Sequence, residues 1–176
     1  MKARSNFAGV CVFAQLSHVH RIGTFVALRW RREKITVAKN ISDTDALEVI
    51  RDGKLGRLGC IDGDEPYVVP LNYLLEDGII YSHSLPGKKI DAMKKHPRVC
   101  LQVDRVDDDF HWRSAIAFGR YEEIVSPADR RDALVRLLSR FPKLTPVESR
   151  IVQDAAAPDS VVFRIVIDRV TGVEEE

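Results

Sequence analysis

Cysteine is scarce in this chain: Cys11, Cys60 and Cys100 are the only three in 176 residues, and no two form a CxxC pair. A disulfide framework and a thiolate zinc site are therefore not indicated, and no metal site is assigned. A reducing, cytoplasmic setting is expected. No apolar run reaches the length needed to span a membrane. Neither sign of charge is in excess, the formal net charge being +1. This argues against a general nucleic-acid partner and makes any anion binding a local matter. The phosphate fingerprints GxxxxGK(S/T) and GxGxxG are absent, as is the GxSxG nucleophile elbow. The acidic run Asp107-Asp108-Asp109 lacks calcium-loop spacing and reads as a solvated turn. There is no internal repeat, and the length suits one domain with its own core.

Residues 1–40 read as a poorly defined N-terminal extension, and residues 41–176 as the folded domain. In the extension, Phe7 to Leu16 is mildly apolar behind Lys2 and Arg4, but His18, His20 and Arg21 follow in place of a cleavage site. The His18-x-His20 pair has no third ligand beside it, so a flexible extension is the simpler reading than a metal site.

From Ile41 onward the local signals agree with one another. Ser42 followed by Asp45 opens a helix with Ala46, Leu47, Val49 and Ile50 on one face and Gly53 at its end. Ser126-Pro127 with Asp129 opens another, carrying Leu134, Val135, Leu137, Leu138 and Phe141, and Pro142 stops it. A shorter helix is predicted from Thr145-Pro146 through Val152. Between the helices, the stretches 57–61, 67–75, 78–84, 98–104, 112–125 and 160–170 are enriched in β-branched and aromatic residues. Short turns join most of these six strands. The fold class is mainly β with peripheral helices, a six-stranded antiparallel barrel with helices outside it.

The stretch GIIYSHSLPGKKID, residues 78–91, is the most informative. A hairpin turn at Glu76-Asp77-Gly78 leads into Ile79, Ile80 and Tyr81, and the strand then turns polar at Ser82, His83 and Ser84. After Leu85-Pro86-Gly87 a short helix begins, with Lys88 and Lys89 in its first turn, where the helix dipole disfavours cations. An anion bound there would remove the conflict by drawing together backbone N–H groups, hydroxyls and ammoniums. Plain solvation of both lysines is the competing reading.

Other candidates fall around this stretch. Pro70 in YVVPLNY cannot donate to a ladder, which places its strand at an edge or a bulge and frees backbone groups for a ligand. Asn72 adds a paired donor and acceptor suited to a planar ring with imide edges. Arg57 projects a guanidinium that could reach the same anion, or is a surface charge. His83 is the most interesting titratable group and the tentative catalytic residue, with a structural hydrogen-bonding role as the alternative. Trp112 and Ser114 share one strand face, where core packing is the default for the indole.

Taken in order, the motifs RLGC, PYVVPLNY, IIYSHSLPGKKID, HPRVCLQVD and WRSAIAFGRYEEI resemble those of the pyridoxamine 5'-phosphate oxidase-like FMN-binding split barrels. Within that superfamily they look most like the nitroimidazole-resistance (Nim) branch. The resemblance covers about residues 41–170. It implies a split barrel that forms a homodimer with two FMN sites at the subunit interface. By motif position, Arg57, Lys89 and Ser84 would hold the phosphate. Pro70, Leu71, Asn72 and Tyr73 would line the flavin ring, and His83 would sit near ring or phosphate. Trp112 and Ser114 would approach the partner's flavin. Many relatives carry an aromatic in place of Ser82 and an arginine in place of Lys88, so the ring-side contact at Ser82 and the role of Lys88 differ here from the family pattern. The expected activity is oxidoreduction from NAD(P)H to a small acceptor, with a nitroaromatic as one case. The alternatives are a flavin-storage module without turnover, or a haem-binding barrel using His83 or His111.

Overall fold

The structure is a computed structural model, which describes residues 38–141 and 160–175. The extension up to residue 37, with its two histidines, and the helix expected from Thr145 lie outside the described residues.

Among the described residues, eleven elements follow in the order β1 (Lys39–Asn40), α1 (Asp43–Asp52), β2 (Leu55–Asp62), β3 (Glu65–Asn72), β4 (Leu74–Glu76), β5 (Ile79–Ser84), α2 (Lys88–Lys95), β6 (Arg98–Val106), β7 (Trp112–Glu123), α3 (Pro127–Arg140) and β8 (Val161–Glu175). The strands form one antiparallel sheet in the order β3-β2-β6-β7-β8-β5-β4, with β1 on β8. This is the mainly β architecture expected, and an open sheet of this kind is consistent with a split barrel. The strand count is corrected from six to eight among the described residues. The expected strand 67–75 breaks at Tyr73, where the chain leaves its partner β2 and takes up β5 instead. β1 is two residues long and too short to announce itself by pattern. The last strand runs to Glu175, because the acidic end pairs with β7 and β1.

Local chemistry explains the elements. Ser42 caps α1, its Oγ accepting from the Asp45 N–H at 3.1 Å, and Ser126 does the same for α3 through Asp129 at 3.5 Å. Asp77 and Gly78, with φ of 49° and 75°, form the tight β4–β5 turn, a conformation glycine adopts at no steric cost. Pro70 lies on β3, at one end of the sheet, where its missing N–H breaks no ladder on the open side.

One core cluster joins the sheet to α1 and α2, with Ile50, Leu58, Ile80, Ile90, Met93, Leu101, Phe163 and Ile165 almost wholly buried. Each such side chain contributes about 1.5–3 kcal/mol through burial. A second, smaller cluster of Ile124, Ala133, Leu134 and Val162, with Tyr81 against it, seats α3. Strand alternation therefore defines an inner face, carrying Leu58, Cys60 and Leu101, and an outer face, carrying Arg57, Gly59, Gln102 and Asp104.

Candidate functional site

At the start of α2, Gly87 occupies the N-cap with φ 153°, a value open to glycine, and supplies no side-chain cap. Its carbonyl accepts from Ile90 and Asp91 at 2.9 and 3.1 Å. No side chain caps the remaining first-turn N–H groups, those of Lys88 and Lys89. The two lysines in this turn have different surroundings. Lys88 Nζ lies 2.8 Å from Asp62 Oδ2 and 4.8 Å from the centre of the Tyr67 ring. The Asp62 hydrogen bond raises the Lys88 pKa, and the same bond lowers that of Asp62. Lys89 has no ion-pair partner among the described residues, and burial alone pushes its pKa down. A half-buried ammonium without a counter-ion, on a helix N-terminus with no side-chain cap, can hold an anion.

The strand leading into this turn divides its polar side chains between two faces. Ser82 is fully buried, and its Oγ donates to the Asn72 carbonyl at 2.7 Å, tying β5 to the end of β3. The Ser84 hydroxyl donates to the Leu85 carbonyl at 2.8 Å, within the loop that reaches α2. His83 is half-buried and points to the opposite face from Ser82 and Ser84, the side where Tyr81 packs under α3. Its register partner Val162 belongs to that second cluster.

Arg57 stands on the outer face of β2, opposite Pro70 on β3 and Gln102 on β6. Its Nη1 lies 3.5 Å from Asp104 Oδ2. Gln102 Nε2 bonds Asp104 Oδ1 and donates to Ser114 Oγ at 3.1 Å. Arg57 and Ser114 are thus joined across three strands by two residues that sequence reasoning passed over. The signal was there: Gln102 and Asp104 share a face of their strand, and Ser114 alternates in phase with Trp112 on the next. What the sequence lacked was the register that sets Asp104 against Ser114. Trp112, half-exposed on the same face, donates its indole N–H to Glu175 Oε2 at 2.9 Å. A cleft of about 200 Å³ beside Arg57 is lined by Leu55, Val68, Val69 and Pro70.

The structure brings Arg57, Pro70 and Ser114 together on the outer face, and Ser84, Lys88 and Lys89 together at the turn into α2. No contact joins Arg57 to Lys89 among the described residues. Leu71 and Tyr73 are buried in the core, and the Tyr73 hydroxyl donates to the Ile50 carbonyl at 2.5 Å, so only their backbone groups remain for a ligand. Burial also raises the Tyr73 pKa well above the usual phenol value. His111 sits in the exposed β6–β7 turn with Nδ1 2.8 Å from the Asp108 carboxylate. No cluster of three or more metal-ligating side chains occurs among the described residues. No helix there is long and apolar enough to cross a membrane.

A family model described as pyridoxamine 5'-phosphate oxidase matches residues 42–174, most of the chain and all of the sheet beyond β1 except its last residue. This chain belongs to the pyridoxamine 5'-phosphate oxidase family. An uncharacterized protein of Rhizobium meliloti (strain 1021) is 32% identical over 133 residues, covering 70% of this chain and 86% of the relative. Among solved structures, a FAD-binding protein from Mesorhizobium loti is 33% identical with a TM-score of 0.63, covering 80% of this family member and 98% of that chain. A candidate 5-nitroimidazole antibiotic resistance protein from Bacteroides thetaiotaomicron shares the fold at a TM-score of 0.64 and 23% identity, covering 79% of this chain and 88% of that one.

Proposed function

We propose that this family member binds a flavin, as FMN, with the phosphate at the N-terminus of α2. Lys89 is the observation that carries the reading: a half-buried cation without a counter-ion beside uncapped helix N–H groups. A phosphate there would take the Lys89 ammonium, the first-turn N–H groups and, after rotation, the Ser84 hydroxyl. Lys88 would add field, not a direct contact, since Asp62 already holds it. The β3 edge near Pro70 and Asn72 would offer backbone and amide groups to the ring edge. The FAD-binding relative from Mesorhizobium loti supports a flavin.

A bound flavin would supply two-electron redox chemistry between a nicotinamide donor and a small acceptor such as a nitroaromatic. The chain's own part is to bind, orient and shield. The family resemblance also supports a homodimer in which Trp112 and Ser114 reach toward the partner's flavin.

Absorption spectroscopy of the purified protein, followed by release and chromatography of the chromophore, tests the reading. A flavin spectrum with FMN released is expected, and NAD(P)H should bleach it anaerobically. FAD in its place would retain the flavin and overturn the phosphate-end assignment. Bound FMN that no nicotinamide donor reduces would leave a storage module. Lys89→Ala should weaken FMN binding about tenfold or more, the loss of one charged hydrogen bond. Unchanged affinity would remove the site from α2.

A further inference from the structure

We propose that the outer face of the sheet holds a second binding site, for a small amphiphilic anion of the aromatic or aliphatic carboxylate type, in the groove lined by Arg98 and Arg169, with Arg120 across the ladder from Arg98. The groove has a volume of about 500 Å³ and includes Gly59, Ile61, Pro66, Val68, Cys100 and Phe118 in its lining. That volume lies in the range of small-molecule sites. Apart from Val68, which also lines the cleft beside Arg57, its lining residues stand clear of those assigned above to the flavin.

Three observations specify the ligand's chemistry. First, Arg98 on β6 and Arg120 on β7 are directly opposite each other in the ladder. Like charges at such a position repel, and a bound anion turns the repulsion into a chelate. Second, Arg169 on β8 is opposite Phe118 and lies 3.6 Å from the centre of that ring, so a third guanidinium is held at the same end of the groove. Third, these three side chains have no carboxylate partner among the described residues. Their neighbours in the sheet do: Arg57 has Asp104, Arg113 has Glu174 and Arg164 has Glu122. Among the described residues, Asp168 is the only carboxylate lining the groove, and it forms no ion pair. The charged end therefore calls for an anion, while Ile61, Pro66, Val68 and Phe118 call for an apolar body attached to it. Val68 and Ile61 are 60% and 38% exposed, which leaves that apolar surface to be covered by the ligand.

Calorimetric titration of the full-length protein with 2-naphthoate, and in parallel with the neutral 2-naphthamide, tests the site. Saturable binding of one naphthoate per chain is expected, with the amide about tenfold weaker or worse. In the double variant Arg98→Gln/Arg120→Gln, naphthoate affinity should fall about tenfold or more, with flavin content unchanged. Val68→Asp, at an exposed position, should do the same by placing a negative charge among the apolar lining, and it serves should the double variant fail to fold. Equal affinity for naphthoate and naphthamide, undiminished binding in a folded variant, or no saturable binding would each overturn the proposal.

Discussion

Lys88 and Lys89 are adjacent, identical in type and set in the same helical turn, yet only one of them lacks a counter-charge. Their sequence context showed that cations stand where the dipole disfavours them. It did not show which was available, because Asp62 belongs to another strand and reaches Lys88 only through the fold. The difference predicts a pH dependence. Burial depresses the Lys89 pKa below the ordinary lysine value of 10.5. In the flavin-free protein the cost of holding the ammonium out of water is fully present below that depressed pKa, shrinks as pH rises past it, and is gone above 10.5. A bound phosphate favours the ammonium and raises the pKa again. FMN affinity should therefore be fully present below the free-state pKa and fall as pH rises past it. Lys89→Arg, whose guanidinium stays protonated throughout, should give a flat profile over the same range. Titrations of FMN fluorescence quenching across the alkaline range check this. Parallel profiles for the two proteins would place the titrating group elsewhere.

At the scale of elements, capping was legible and its long-range counterpart was not. The Ser42 and Ser126 caps are local, separated by three residues from the N–H groups they accept from, and both helices begin where that spacing puts them. The other end of α1 is held from afar. Tyr73 donates to the Ile50 carbonyl, and Arg140 Nη2 donates to the carbonyls of Arg51 and Gly53 at 2.5 and 2.6 Å. By motif position at the end of YVVPLNY, the family resemblance places Tyr73 along the flavin ring. Its side chain serves instead to satisfy orphan carbonyls that a helix C-terminus always leaves. Tyr73→Phe should cost about 0.5–1.5 kcal/mol of stability, the net worth of one such bond, and leave flavin content unchanged. Ser42→Ala should cost about 1 kcal/mol at the opposite end of the same helix. Denaturant melts of both variants, with the flavin spectrum recorded alongside, check the two values. Loss of flavin from a stable Tyr73→Phe protein would return the phenol to the binding site.

For the whole molecule, composition and strand enrichment identified the class, and the motif series identified the family, but strand order required the structure. The last strand in the chain, β8, enters between β7 and β5 and also takes β1. No local pattern encodes an insertion of that kind, since it depends on which edges remain open after the earlier strands have paired. The resulting outer face is uneven. At the end away from the arginine groove it exposes Leu55, Val106 and Phe110, at 55%, 68% and 66%, beside the half-exposed Trp112. Such a patch on a sheet face suits contact with another protein surface. It includes the indole that the family resemblance directs toward a partner's flavin. Val106→Asp should therefore convert a dimer to monomers in light scattering while costing little fold stability, because Val106 is 68% exposed within one chain. If the flavin ring is shared between two copies, the monomer should also bind FMN more weakly, and affinity should depend on protein concentration. A monomeric variant that retains full affinity would confine the site to one chain, with Lys89 and the β3 edge sufficient for it.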